Sequence, residues 1–164
     1  MSRRSDANTE LAVLAGLIVL VAIVGYAAHL VTMPQIDSWY ATSVIKPSFT
    51  PPNWVFGPAW GLLYAMMAVA AWLVWRETGW PGAQTPWAYW VIQLALNLGW
   101  SFLFFGLHRP GWALAEIAVL FGAIAATAWQ FRHASRLAAW LLVPYLAWVG
   151  YAGLLNFAIW RLNA

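Results

Sequence analysis

The chain has 164 residues, of which 63% are hydrophobic and 8% are charged, with a formal net charge of +3. Soluble domains carry about 25% charged residues, so this composition excludes an ordinary water-soluble protein. The lack of cysteine also excludes disulfides, thiolate metal sites and a cysteine nucleophile.

Apolar runs long enough to cross a membrane recur along the sequence. A spanning helix needs about 20 mostly apolar residues, and hydrocarbon admits only backbones that satisfy their own hydrogen bonds. None of the runs alternates with the period expected of a barrel strand. We therefore predict an all-α polytopic membrane protein, a single domain over residues 1–164 with five transmembrane helices. The helices are predicted at about residues 10–33, 54–76, 87–107, 111–132 and 136–161.

The basic residues lie mostly at the helix ends, which is typical of headgroup anchors and gives no indication of a nucleic-acid partner. With five spans, the two ends of the chain lie on opposite sides of the membrane. The positive-inside rule then favours a cytoplasmic N-terminus. The N-terminal side holds Arg3, Arg4, Arg76, Arg132 and Arg136, and the other side holds Lys46, Arg109 and Arg161.

The connection between the first two helices, residues 34–53, is much longer than the others. Pro34 is predicted to close the first helix, and the prolines in "KPSFTPPNW" (Lys46–Trp54) hold the following backbone extended. Long loops in compact domains are often functional. Two interpretations stay open on these grounds, a rigid linker between helices or a structured lid over one end of the bundle, and we favour the lid.

Tryptophan is unusually frequent, with 14 residues in the chain. Most lie near a predicted span end, as expected for the aromatic belts at the two membrane interfaces. Trp60, Trp100 and Trp148 instead fall well inside their spans. These interior tryptophans need a different explanation.

Helical spacing groups the interior tryptophans with other aromatic and amide side chains, because residues three or four apart share a helix face. The amides indicate either hydrogen bonds between helices or contacts with a ligand, and both interpretations stay open. A cavity lined by aromatic rings with a few amides suits a large, flat, mostly apolar ligand. The three faces are Phe56, Trp60 and Tyr64; Gln93, Asn97, Trp100 and Phe104; and Tyr145, Trp148, Ala152 and Asn156.

Ionisable residues inside the spans are few. Glu116 lies about one turn into the fourth helix, and an ionisable group inside a membrane is a candidate for function. We favour a structural role, because the helix dipole favours an anion there and the side chain is long enough to extend toward His108 or Arg109. His29 and His133 have no partner at metal-ligand spacing. We therefore predict no metal site.

Several motifs in order resemble a known family. The segment "WYATSVIKPSFTPPNWVFGPAWGLLY" (Trp39–Tyr64) closely resembles the hallmark of the translocator protein family, also called tryptophan-rich sensory proteins, TspO/MBR proteins or peripheral-type benzodiazepine receptors. The resemblance continues to the C-terminus through "QLALN" (Gln93–Asn97), "FFG" (Phe104–Gly106), "WALAE" (Trp112–Glu116), "PYLAW" (Pro144–Trp148) and "LNFAIWRLN" (Leu155–Asn163).

The sequence departs from the family pattern at two places. Phe49 stands where the family usually has tryptophan after Lys-Pro-Ser. Near the C-terminus, Leu155, Phe157 and Arg161 lack the tyrosine of the cholesterol motif proposed for animal members. Such motifs are weak even when complete, and without the tyrosine the sequence does not predict specific sterol binding.

The resemblance implies a homodimer of five-helix bundles in a lipid membrane that binds protoporphyrin IX-like tetrapyrroles and benzodiazepine-type drugs under the first loop. By motif position, the pocket lining would include Trp60, Tyr64, Asn97, Trp100, Trp112, Trp148 and Ala152. Helix spacing adds Phe56, Gln93 and Tyr145 as ligand-binding candidates, and the loop adds Trp39 and Lys46, whose amine suits a propionate.

The function expected from the resemblance is that of a membrane receptor or sensor, linked to tetrapyrrole regulation or to a stress response. The porphyrin would be a ligand, with no cofactor required, and we expect a bacterial membrane. One alternative is an enzyme that degrades protoporphyrin with light and oxygen, in which Trp60 and Trp148 take part in the chemistry. Another is a transporter of tetrapyrroles or sterols.

Overall fold

The computed structural model describes residues 6–164, and Arg3 and Arg4 lie outside this range. The described chain is helical and contains no strand, so the all-α prediction is confirmed. A π-helical turn, Phe102–Gly106, continues the third helix. The α-helices are α1 (Ala7–Ile36), α2 (Trp39–Thr42), α3 (Asn53–Ser101), α4 (Pro110–Ala134), α5 (Arg136–Leu141) and α6 (Val143–Leu162).

Helix α3 is a hairpin of two antiparallel arms, residues 53–78 and residues 80–101. Gly79 lies between the arms with φ 68° and ψ −178°, a left-handed conformation that glycine adopts without a steric cost. Indole nitrogens of the second arm donate to carbonyls of the first. Trp87 Nε1 bonds the Ala71 oxygen at 3.0 Å, and Trp90 Nε1 bonds the Met67 oxygen at 3.2 Å. The chain therefore crosses the bundle twice within α3.

Five spanning segments result. Helices α1 and α4, the two arms of α3, and α5 with α6 taken together are each long enough to cross the hydrocarbon core. The apolar, spanning length of these segments identifies an integral, multi-pass membrane protein. The predicted bundle of five transmembrane helices is thus confirmed.

Two helix boundaries differ from the predicted ones because proline is tolerated there. Pro34 lies inside α1, which ends at Ile36, so the first connection is residues 37–52 and contains the short helix α2. The second arm of α3 begins near Trp80 rather than at Trp87, with Pro81 in its first turn, where a missing N–H costs little. Prolines inside membrane helices are tolerated when neighbouring groups satisfy the freed carbonyls.

The core differs between the two ends of the bundle. At the end where α1 begins, alanines of the first α3 arm let the helices approach closely, and Ala68, Ala70 and Ala71 are fully buried. Under residues 37–52, aromatic side chains predominate, among them Tyr40, Phe104 and Phe105. A cavity between the helices is lined by these three aromatic residues and by Ile117 and Leu120 of the larger core.

Candidate functional site

A cavity of about 590 Å³ lies between the helices at the end covered by residues 37–52. Its walls come from the second half of α1, both arms of α3 with the π-helical turn, the first half of α4 and residues 148–159 of α6. Binding cavities for small organic ligands commonly measure about 300–1,000 Å³. Of the side chains predicted to bind a ligand, Phe56, Trp60, Tyr64, Asn97, Trp100, Trp148 and Ala152 line this cavity.

The aromatic side chains of the cavity wall hold one another in place by ring contacts. The Trp60 and Tyr64 centroids are 5.7 Å apart, and Trp148 meets Phe56 edge-on at 5.9 Å. Trp100 stacks on Phe104 at 5.1 Å with an interplanar angle of 22°. Contacts at these distances and angles are favourable beyond the area that they bury. The wall is therefore a preformed set of large aromatic surfaces.

Asn97 connects two of these aromatic side chains through its amide. Tyr64 Oη donates to Asn97 Oδ1 at 2.6 Å, and Asn97 Nδ2 donates to Tyr145 Oη at 3.2 Å. Asn97 is 4% exposed and still lines the cavity. This amide therefore joins both α3 arms and α6 by hydrogen bonds, and its contact with a ligand stays a prediction.

Asn156 acts similarly at the junction of α3, α4 and α6. Trp100 Nε1 donates to Asn156 Oδ1 at 3.0 Å, and Asn156 Nδ2 donates to the Pro110 carbonyl at 2.8 Å. The first bond fixes the indole of a cavity-lining tryptophan. The second ties α6 to the first residue of α4. Asn156 itself lines the cavity, whereas the sequence predicts only the helix face on which it lies.

Residues 37–52 form a cap that is bonded to α6 and to the residue that follows it. The Asn163 amide accepts from the Ile45 N–H and donates to the Ile45 carbonyl, both at 2.9 Å. Tyr151 Oη donates to the Phe49 carbonyl at 2.7 Å. These bonds join residues more than 100 positions apart in the chain. The cap is therefore a fixed part of the fold, and Tyr40 of α2 contributes to the cavity lining.

Two predicted ligand-binding residues belong to the cap and lie outside the cavity lining. Lys46 Nζ donates to the Tyr40 carbonyl at 2.7 Å and lies 4.8 Å from the centroid of that ring. Trp39 stacks on His108 with centroids 4.2 Å apart and packs edge-on against Phe104. Both side chains support the cap in this structure.

Three further predicted residues also lie outside the cavity lining. Gln93 is 1% exposed and packs on Met67, where its Nε2 lies 3.7 Å from the sulfur. Tyr145 is fully buried behind Trp60. Trp112, inferred from motif position alone, is 71% exposed at the outside of the bundle. Motif position and helix spacing locate a face but not the depth of each side chain.

One wall of the cavity was not predicted, because it belongs to α1. Gly25, Ala28, His29, Thr32 and Met33 line it. The helix is apolar on all sides, so no amphipathic pattern marks this face. The only local signal is the small or polar residues at Gly25, Ala28 and Thr32, whose spacing places them on one face. A Cβ at Gly25 would lie 3.0 Å from the Tyr64 ring, so this glycine permits the close approach of α1 and α3.

The cavity has an exposed edge between α1 and the first arm of α3. Among its lining residues, Met33 is 48% exposed and Trp54 is 75% exposed. A Cβ placed on Gly57 or Gly61 would have no heavy atom within 4 Å. The two glycines therefore leave an opening in the wall on this side.

Glu116 does not reach toward His108 or Arg109, contrary to our expectation. Both of its carboxylate oxygens are buried and have no hydrogen-bond partner among residues 6–164. The side chain points toward α3, where a Cβ at Gly99 would lie 3.8 Å from Oε1. Its neighbours Ile117 and Leu120 line the cavity, but Glu116 itself does not.

Comparison with known proteins gives consistent matches over most of the chain. The model of the TspO/MBR family matches residues 17–161. The chain is 43% identical over 147 residues to the tryptophan-rich protein TspO of Archaeoglobus fulgidus, covering 90% of this chain and 94% of the relative. It is 42% identical over 158 residues to the tryptophan-rich protein TspO of Chlorobaculum tepidum, covering 95% of this chain and 99% of the relative. It is 46% identical over 127 residues to the human translocator protein, covering 76% of this chain and 75% of the relative.

Proposed function

The chain belongs to the TspO/MBR family, and from that membership we propose that it is a membrane receptor that binds a porphyrin-like tetrapyrrole in the cavity under residues 37–52. The observation that carries the proposal is the aromatic wall. Trp60, Trp100 and Trp148 all line one cavity, together with Phe56 and Phe104.

The chemistry of the cavity suits a flat macrocycle. A porphyrin offers two broad apolar faces and a few polar groups at its edge, so indole and phenyl rings contact it over large areas. The hydroxyl of Tyr64 and the amides of Asn97 and Asn156 are among the polar groups within the wall. Few but fixed polar groups orient a mostly apolar ligand. The porphyrin is a ligand in this proposal, with no cofactor required, and benzodiazepine-type drugs would compete for the same cavity.

A titration of purified protein with protoporphyrin IX tests the proposal. The rings of Trp60 and Trp148 would contact the porphyrin, so binding should quench tryptophan fluorescence in a saturable way. The double substitution Trp60→Ala and Trp148→Ala removes two lining rings and should weaken binding strongly. Unchanged affinity in the double variant would exclude this cavity as the porphyrin site.

We also propose that the protein resides in a bacterial membrane with the N-terminal side in the cytoplasm, where it takes part in tetrapyrrole regulation or in a stress response. Because the chain contains no cysteine, single introduced cysteines report orientation cleanly. Glu77→Cys near the α3 bend should be protected from a membrane-impermeant maleimide on intact cells. Ser48→Cys in the cap should be labelled. The opposite labelling pattern would reverse the proposed orientation.

A homodimer is a further proposal from the family resemblance. Gly122 lies on an exposed face of α4 with open space where a Cβ would be, and Ala126 follows one turn later. Small residues at this spacing let two helices approach closely in a membrane. The protein in nanodiscs should have the mass of a dimer, and Gly122→Phe should favour the monomer. A monomeric mass for the unsubstituted protein would exclude the dimer.

Light- and oxygen-dependent breakdown of the porphyrin is the second candidate function. It is favoured by Trp60 and Trp148 lining the same cavity, since both indoles would touch a bound macrocycle. If the protein is such an enzyme, illumination of the complex in air should give a new absorbing product, and Trp148→Phe should reduce its yield. No product, or an equal yield in the variant, would leave binding as the function.

A further inference from the structure

We propose that a cleft at the opposite end of the bundle from the cavity binds an anionic phospholipid. The cleft has a volume of about 670 Å³ and lies between the last turns of α4 and the start of α5 and α6. Arg132, His133 and Arg136 line it together with Trp129 and Trp140. The lipid phosphate would contact the two arginines, and an acyl chain would lie along the apolar walls.

The charge of the cleft favours an anion. Among residues 6–164, no acidic side chain lines it, and the side chains of Arg132, His133 and Arg136 are exposed. Within residues 6–164, neither guanidinium forms an ion pair with a carboxylate. Arginines near an anionic membrane surface each contribute favourably to binding. The two guanidinium groups are therefore available to one phosphate.

The position of Arg132 is fixed by the ring beside it. Its guanidinium carbon lies 3.1 Å from the centroid of Trp129, and His133 meets the same ring edge-on at 6.0 Å. A planar guanidinium held over an aromatic face loses less freedom when it makes a second interaction. Its N–H groups then match a phosphate in bidentate geometry.

The rest of the cleft suits a lipid better than a free phosphate. Trp129 is 57% exposed and Trp140 is 69% exposed, and tryptophan concentrates at the depth of lipid headgroups. Below them the walls are small or apolar, with Ala128, Ala139 and Leu146. A free phosphate would contact the arginines alone and would leave these walls bare. A phospholipid covers both parts of the cleft.

The proposed lipid would join two helices across a short bend. Arg132 is in the last turn of α4 and Arg136 is the first residue of α5, with the extended residue Ser135 between the helices. One phosphate bound to both arginines holds the end of α4 against the start of the fifth span. In the orientation proposed above, this cleft faces the cytoplasmic leaflet, which carries the anionic lipids.

Native mass spectrometry of the detergent-purified full chain tests the proposal, with phosphatidylglycerol and phosphatidylcholine added in separate series. The unsubstituted protein should retain phosphatidylglycerol far better than phosphatidylcholine. The double substitution Arg132→Gln and Arg136→Gln should weaken phosphatidylglycerol binding by about 25-fold, since each arginine is worth about fivefold. Porphyrin titration and helical circular dichroism of the variant check that it is folded.

The matched control is Arg76→Gln. Arg76 lies at the same end of the bundle and also stacks on a tryptophan, with its guanidinium carbon 4.8 Å from the Trp72 centroid, but it does not line the cleft. This variant should retain phosphatidylglycerol like the unsubstituted protein. If Arg76→Gln loses phosphatidylglycerol as much as the double variant does, the lipid is attracted by overall charge and the proposal is overturned. Unchanged retention of phosphatidylglycerol in the folded double variant would also overturn the proposal, as would displacement of the lipid by glycerol phosphate at equal concentration.

Discussion

Asn97 and Gln93 are amides four residues apart on the same α3 face, but their environments differ. Asn97 bonds two tyrosine hydroxyls and lines the cavity, whereas Gln93 is buried against Met67 with its Oε1 unpaired among residues 6–164. The spacing of the sequence predicts that the two amides share a face. It cannot predict their depth, because depth depends on how far α3 and α6 separate at each level.

These two amides give a matched pair of substitutions. Asn97→Leu removes both bonds and leaves the Tyr64 and Tyr145 hydroxyls without that partner, so we expect a destabilisation of about 1–3 kcal/mol and weaker porphyrin binding. Gln93→Leu removes an unpaired buried oxygen and should leave porphyrin affinity unchanged. Thermal unfolding in detergent and porphyrin titration measure the two effects. Equal loss of affinity in both variants would contradict the assigned lining.

Glu116 gives a prediction about stability. Its carboxylate oxygens are buried without a hydrogen-bond partner among residues 6–164, and an unpaired buried charge is costly. Glu116→Gln keeps the shape and removes the charge, so we expect a higher melting temperature at neutral pH. Glu77→Gln, at the end of the first α3 arm, serves as the exposed comparison. A lower melting temperature for Glu116→Gln would show that the carboxylate has a stabilising partner.

At the scale of elements, the cap depends on side chains that are far away in sequence. Its prolines predict a stiff, extended segment, and residues 43–52 contain no helix. The bonds that place the cap come from Tyr151 and Asn163 on and just beyond α6. No local pattern predicts such pairs, because they depend on how the fifth span packs beside the loop.

Removal of the Asn163 amide should loosen the cap. Asn163→Ala deletes both bonds to Ile45, so we expect faster amide hydrogen exchange at Ile45 and faster porphyrin dissociation. Ser48→Ala, in the same segment, removes an exposed hydroxyl that makes no bond with residues 6–164 and should change neither rate. If amide hydrogen exchange at Ile45 and porphyrin dissociation in Asn163→Ala proceed at the rates of the unsubstituted protein, the cap is held by other contacts.

Phe49 departs from the family pattern, but the hydrogen bond that holds the cap at this position does not depend on its side chain. Its side chain is 51% exposed, and the bond from Tyr151 uses the backbone carbonyl. The ring only packs edge-on against Tyr151, with centroids 6.5 Å apart. Phe49→Trp should therefore leave porphyrin affinity unchanged in the same titration. A large gain in affinity would mean that an indole at this position contacts the ligand.

At the scale of the whole molecule, composition and hydropathy were sufficient to predict the class and the number of spans. The interior position of Trp60, Trp100 and Trp148 also predicted that a cavity exists. The α1 wall could not be predicted, since a helix that is apolar on every side gives no indication of which face turns inward. The opening at Gly57 and Gly61 likewise depends on the angle between two helices.

The central claim is that porphyrin binds inside this cavity, and a comparison of tryptophan variants tests it most directly. Trp60 and Trp148 line the cavity, whereas Trp112 matches the family motif but lies exposed outside it. Protoporphyrin IX titrations should show strongly weakened binding for Trp60→Ala combined with Trp148→Ala, and unchanged binding for Trp112→Ala. Loss of binding in Trp112→Ala with full affinity in the double variant would contradict the claim.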